Sequence, residues 1–185
     1  LGVFILFFGW LSFNASSAPG LAEGTAASFE IATRSAVNTA LAPCLAVTVS
    51  VAVNYYAHNT ISILHVNNAA LAACVGVTAA AGNVRCIYLV LVCSIGSGLI
   101  SAFGPMLLLM MGIDDVVDAF VVHGLSGFWS IIIVGLFNDH TLSGVPSQAD
   151  GLFIGGSGYL LWVQLVSGVY IFVWSAGVTL VTLLM

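Results

Sequence analysis

The sequence predicts an all-α bundle embedded in a lipid bilayer, and three observations carry that prediction. Of 185 residues, 61% are hydrophobic and 5% charged, against about 25% charged in a water-soluble domain. A chain so poor in charge cannot cover its own surface in water. Its fixed charges are Arg34, Arg85 and seven carboxylates. The apolar residues run in long stretches, whereas a lipid-spanning β-barrel would alternate apolar and polar positions. A net charge of −5 without clustered Lys or Arg argues against nucleic acid as a partner.

A membrane helix takes about 20 apolar residues, and the chain divides into six hydrophobic segments forming one transmembrane domain over residues 1–185. The first, about 1–13, is short and cut at its N-terminus. The chain opens at Leu1 inside an apolar run, without Met or a recognisable signal peptide, which reads as a fragment of a longer protein. A Gly/Ser/Ala/Pro loop over 16–24 precedes the second segment, about 29–56. A polar stretch, 57–64, leads to the third, about 65–82, rich in Ala and Gly; the fourth, about 84–111, follows almost without linker. An acidic turn introduces the fifth, about 116–137. A long polar loop over 138–157, with Pro146, separates it from the sixth, about 158–185. Gly76, Ala80, Gly96 and Gly98 are small enough to let backbones approach closely. Two arginines are too few to orient the chain by the positive-inside rule. Cys44, Cys74, Cys86 and Cys93 show no metal-ligand spacing and read as buried small hydrophobes.

The most informative position is His123, set in the apolar run Phe120-Val121-Val122-His123-Gly124-Leu125-Ser126-Gly127-Phe128-Trp129. An ionisable group at membrane depth is costly and faces a cavity or a partner, so His123 points to a translocation path. The plainer reading is a satisfied core histidine. Gly124 and Gly127 clear space beside the imidazole on the first reading. His58, His65 and His140 lie in or beside polar connections and read as loop residues.

Upstream stands Asp114-Asp115-Val116-Val117-Asp118. Asp114 and Asp118 suit a helix N-terminus, where carboxylates accept from free N–H groups and favour the dipole. Asp115 is about 80° around a straight helix from His123 and about 12 Å along it. A hydrogen bond between them is not expected, although Asp115 would bias the field of a pore.

Trp10, Phe13 and Ser17 stand at i, i+3 and i+7. Two aromatic faces and a hydroxyl at a helix end suit a small cation, and equally an interfacial aromatic anchor. Asn14-Ala15-Ser16 fits a glycosylation acceptor but sits at the end of a spanning segment. Asn67 and Asn68 suit capping or bridging at a helix start. Thr78 either lines a pore or bonds its own backbone at i−4.

Together these stretches resemble the ammonium transporter family, Amt/Mep/Rh, and within it the Amt branch. The resemblance rests on Gly9-Trp10-Leu11-Ser12-Phe13-Asn14, Ala36-Val37-Asn38-Thr39-Ala40-Leu41-Ala42, the run 71–82, Ile113-Asp114-Asp115-Val116-Val117-Asp118-Ala119-Phe120-Val121-Val122-His123-Gly124, and Gln164-Leu165 with Trp174-Ser175. Each is weak alone, but their order and spacing agree along nearly the whole chain. The resemblance implies eleven spanning helices built from two inverted five-helix repeats, a homotrimer in the bilayer, and one pore per subunit. This chain then corresponds to helices six to eleven, the second half of that fold.

On the same resemblance His123 is similar to the second of two paired pore histidines, Phe13 to one of two stacked gate phenylalanines, and Trp10 to the tryptophan beside the gate. Ser17 corresponds to the hydroxyl of the outer recruitment site, Thr78 to a pore-lining threonine, and Asp115 to the counterpart of a structural aspartate in the first repeat. Four positions depart from the pattern. Ala79 stands where proline is frequent, Ser12 and Ser16 where glycine is usual, and Ser130 where a small glycine follows Trp129; Ser130 is expected only to adjust packing. The implied activity is passage of ammonium or ammonia, with methylammonium as analogue, no cofactor, and a plasma-membrane location. The alternatives are a non-transporting ammonium sensor on the same fold, an inactive paralogue, and an intramembrane enzyme using Asp114, Asp115, Asp118 and His123. Nucleophile and metal motifs such as GxSxG and HExxH are absent from the sequence.

Overall fold

The computed structural model describes residues 1–143 and 149–185. The loop residues 144–148, among them Pro146, lie outside the described residues. Helix α1 spans Gly2–Ser16, α2 Ala26–His58 and α3 Ile63–Thr78. Helix α4 covers Cys86–Met110, α5 Phe120–Phe137 and α6 Tyr159–Leu184. By length and apolar composition α2, α4, α5 and α6 are able to cross a membrane, while α1 and α3 are shorter apolar helices. Among the described residues there is no strand beyond one isolated bridge between Val84 and Asn138.

Local chemistry sets the ends. Helix α2 starts at Thr25, whose hydroxyl accepts from the Ser28 amide, and stops at Asn59 in the left-handed region at φ 53°. Ser62 caps α3 by accepting from the Leu64 amide. His65 therefore sits in the first turn of α3 rather than in a loop, because Ser62 starts the helix ahead of it. The polar stretch over 138–157 is partly ordered into a one-turn helix, His140–Ser143, and a 3₁₀ turn, Leu152–Ile154. His140 is exposed there, its Nδ1 2.8 Å from an Asp150 carboxylate oxygen.

Helices α2, α3 and α4 pack on one another; α1 lies against α2 and α3, and α5 against α3 and α6. The buried cluster combines small side chains, Ala42 and Ala46 of α2, Ala73 and Val77 of α3, then Ala80, Val84 and Cys93, with the larger Leu89, Ile133 and Phe137. A Cβ at Gly98 would come within 2.7 Å of the Ala46 carbonyl oxygen, so glycine permits the α2–α4 contact. Two of the cysteines correct the sequence expectation. Cys74 and Cys93 are buried, but Cys44 and Cys86 are exposed on outward faces of α2 and α4; all four are free thiols.

Two stretches depart from α geometry. Leu89–Cys93 and Phe120–Leu125 are π-helical, with the wider turn in which carbonyls meet N–H groups five residues on. In the first, the Cys93 carbonyl accepts from the Trp129 indole at 3.1 Å. The second carries His123.

Candidate functional site

The acidic turn before α5 is held by one side chain. Asp115 Oδ1 accepts from the Ala119 amide at 2.9 Å, and Oδ2 from Phe120 at 2.8 Å and Val121 at 3.3 Å. These are the free donors of a helix start. The capping role expected of Asp114 and Asp118 therefore belongs to Asp115. Asp114 is exposed, and Asp118, at φ 54°, turns its carboxylate to accept from Asn68 Nδ2 of α3 at 2.7 Å. The Asp115 cap also explains why α5 begins at Phe120, four residues after the apolar segment begins. Asp115 makes no contact with His123, in line with its position along the helix.

His123 lies on the π turn with its ring stacked on Trp10 of α1, centroids 5.9 Å apart and planes 27° from parallel. Trp10 is fixed in turn. Its Nε1 donates to Thr78 Oγ1 at 3.2 Å, and Thr78 donates to the Cys74 carbonyl at 2.8 Å. Both readings of Thr78 thus hold together: its hydrogen goes to i−4, and its oxygen accepts from the indole. Three elements converge on one aromatic–imidazole stack.

Beyond the Trp10 stack, His123 is exposed on this chain. The expected role of the flanking glycines is corrected. A Cβ at Gly124 would meet the Phe120 ring at 2.8 Å, and one at Gly127 would meet Val75 Cγ1 at 3.8 Å. Gly124 makes room for the Phe120 ring of its own helix, whereas a Cβ at Gly127 would make only ordinary contact with α3.

Phe13 and Ser17 continue the α1 face beyond Trp10. The Phe13 ring is 58% exposed. Ser17 ends α1, exposed, and donates to the Phe13 carbonyl at 2.8 Å. Asp115 and Asp118 stand apart from this group; Asn68, the partner of Asp118, is about 15 Å along α3 from Thr78.

Two residues gain importance only in three dimensions. Asn14, in the glycosylation-like triplet, is 2% exposed and donates to Thr39 Oγ1 at 2.9 Å, which removes it from any acceptor role at the surface. Ser130 is buried, and its hydroxyl accepts from the Ala79 amide at 2.9 Å. It does more than adjust packing: it holds the end of α3, next to Thr78. The available signal was polarity itself, since a polar side chain in an apolar helix faces a partner.

Just past the C-terminal end of α5, Asp139 accepts from the Thr141 hydroxyl and from Arg85 Nε at 2.9 Å. The Thr141 bonds and the Arg85 charge together hold the Asp139 carboxyl below its ordinary range, against the opposing effect of burial. Asp139, His140 and Asp150 approach one another closely, but these hydrogen bonds already engage their carboxylates.

The fold and this stack define a multi-pass α-helical integral membrane protein whose polar side chains converge on inner helix faces. The model of the Ammonium Transporter Family matches residues 1–185. The chain is 33% identical over 180 residues to ammonium transporter Amt2 of Archaeoglobus fulgidus, covering 96% of this chain and 37% of that protein. It is 34% identical over 176 residues to an ammonium transporter of Bacillus subtilis, with 94% and 41% covered. Among solved structures, Candida albicans Mep2 superposes with a TM-score of 0.84 at 26% identity, covering 99% of this chain and 39% of that one. A structure titled Sensor Amt Protein superposes at 0.82 with 25% identity, covering 100% and 42%. The chain belongs to the ammonium transporter family, and it spans about two fifths of the length of these relatives.

Proposed function

We propose that this chain forms one wall of a path that carries ammonium or ammonia across a membrane, and that His123, Trp10 and Thr78 line it, with Phe13 and Ser17 at its outer end. The observation that carries this is the His123–Trp10 stack fixed by Thr78. A cation entering an apolar bundle loses hydration worth several kcal/mol or more. Aromatic faces and a hydroxyl at the mouth attract it. Past the mouth, loss of a proton gives a neutral species that crosses apolar surroundings at lower cost. A neutral imidazole donates from one nitrogen and accepts at the other, so His123 serves a passing ammonia molecule as well as a proton relay. Trp10 contributes a rigid wall, because its indole N–H is already engaged.

In this reading Asp115 and Asp118 hold the turn that sets the depth of His123. The whole protein is a homotrimer in the plasma membrane, its remaining helices supplying the facing wall. A second reading, a sensor that binds ammonium without transporting it, is favoured by the likeness to the structure titled Sensor Amt Protein.

The test is methylammonium uptake by the full-length parent in cells lacking their own ammonium transporters. His123→Ala is expected to lower saturable uptake at least tenfold or to change its pH dependence, and His58→Ala to leave it within about twofold. Equal effects of the two substitutions would sink the path assignment. No uptake by a folded, surface-expressed parent would favour the sensor.

A further inference from the structure

A cavity of about 220 Å³ lies between the end of α1, the start of α2 and the turn after α3, and Asn14, Ser17, Ser35, Thr78, Ala81 and Gly82 are among its lining residues. No acidic or basic side chain lines it. Three of its hydroxyls share one orientation. Ser17 donates to Phe13 O, Ser35 to Ile31 O and Thr78 to Cys74 O, each four residues back. With its single hydrogen engaged, each hydroxyl offers an incoming molecule only an acceptor oxygen.

Asn14 completes the pattern, and its orientation is forced. Thr39 Oγ1 donates to the Ser35 carbonyl at 2.7 Å, so toward Asn14 it accepts only. The Asn14 amide must therefore turn Nδ2 to Thr39, as it does at 2.9 Å. Oδ1 is left buried without a hydrogen-bond partner among the described residues. Leaving a buried carbonyl oxygen without a donor is costly, and the cavity exceeds the ~30 Å³ share of one liquid water severalfold.

We propose that this cavity binds a small hydrogen-bond donor, ammonium or water, on Asn14 Oδ1, with the Ser35 and Thr78 oxygens as further acceptors. Neither Asn14 nor Ser35 belongs to the residues that family resemblance assigns to the path. Thr78 and Ser17 belong to both the cavity and the proposed path, so the site adjoins that path. Arg34 approaches the same turn, with Nη1 on the Gly82 carbonyl at 2.8 Å and Nη2 on Glu30 at 2.9 Å. The Arg34 charge favours water and the Glu30 charge favours ammonium. The ammonium arm rests on the proposed function; the water arm does not.

Crystals of the full-length parent, soaked in a rubidium salt as a cation of ammonium's size and separately kept free of ammonium and rubidium, test the proposal. An anomalous rubidium peak within about 3.2 Å of Asn14 Oδ1, lost in Asn14→Leu crystals, assigns a cation. Ordered water at that place without a rubidium peak assigns water. A protein group bonded to Oδ1, or no ordered density within that distance in either crystal, overturns the site. Wild-type crystals suffice if Asn14→Leu fails to fold. Occupancy is read without transport, so a parent that carries no ammonium still tests the site.

Discussion

Helices α3 and α6 are both apolar and have opposite surroundings. In α3, Asn68, Ala69 and the run from Ala72 to Val77 are buried, mostly small side chains. In α6 only Gly168 is buried, while Trp162, Tyr170, Phe172 and Trp174 are each more than half exposed. A water-soluble protein places its large apolar residues inside. Here the buried face of α3 is made of small residues, and the large residues of α6 are exposed on this chain. Lipid tails are as apolar as leucine, so burying leucine gains little; close backbone approach and interhelical hydrogen bonds hold the helices together instead. Helix α3 has both, through Gly76 against α4 and through Asn68 and Ala79 against α5.

The sharpest break of this comparison is a large residue in the α3–α4 contact. A Cβ at Gly76 already collides with Ser97 Oγ and reaches Cys93 Sγ at 3.6 Å. Overpacking a tight core costs about 1–3 kcal/mol, occasionally more. Gly76→Leu is expected to abolish the monodisperse peak in detergent chromatography, and Val173→Ala on α6 to leave it unchanged. A Gly76→Leu protein that elutes and melts like wild type would show that α3 packs no more tightly than α6.

A smaller effect is expected at the other end of α3. Ser130→Gly leaves the Ala79 amide without its acceptor, at a cost of about 1 kcal/mol. Ala79→Pro removes the donor and leaves the buried Ser130 hydroxyl without it. The double variant should recover part of the loss, because neither group then lacks a partner. Thermal unfolding of the four proteins gives the coupling; additive losses would mean that the bond contributes nothing.

The smallest effect belongs to the loop after α5. The depressed Asp139 carboxyl stabilises the fold above its unfolded-state pKa, and this contribution is lost as pH falls through the depressed folded value. Asp139→Asn should melt lower than wild type at neutral pH, and the two curves should converge in acid. Parallel curves at every pH would place the stability of the loop elsewhere.

Composition made the helical membrane class legible, and the apolar runs overlap the four long and two shorter helices. The start of α5 could not be read from apolarity, because a side chain from outside the helix, Asp115, decides it. Of the proposed site, the sequence singled out Trp10, Thr78 and His123 separately, but their meeting depends on three helices and on a π turn that no periodicity announces. Ala79 and Ser130 read as unrelated departures, 51 positions apart, yet in the fold they form one hydrogen bond. Asn14 was overlooked because its triplet suggested a surface role, whereas its partner Thr39 is fully buried.

Two hydrogen bonds fasten the α3 side to the α5 side, Asn68 to Asp118 just before α5 and Ala79, just after α3, to Ser130. Between these fastenings α3 has eleven steps of chain and α5 has twelve, and the π turn with His123 takes up the odd one. Removing one residue from Phe120–Leu125 would restore α geometry with the flanking parts of α5 still in phase, because the π turn absorbs the roughly 100° that one added residue brings to an α-helix. Both fastenings would then hold. The extra residue is thus a local clocking device: it sets the angle at which the imidazole faces Trp10 independently of the angle at which Trp129 faces Gly96, and a lineage that loses it changes the first without redesigning the second.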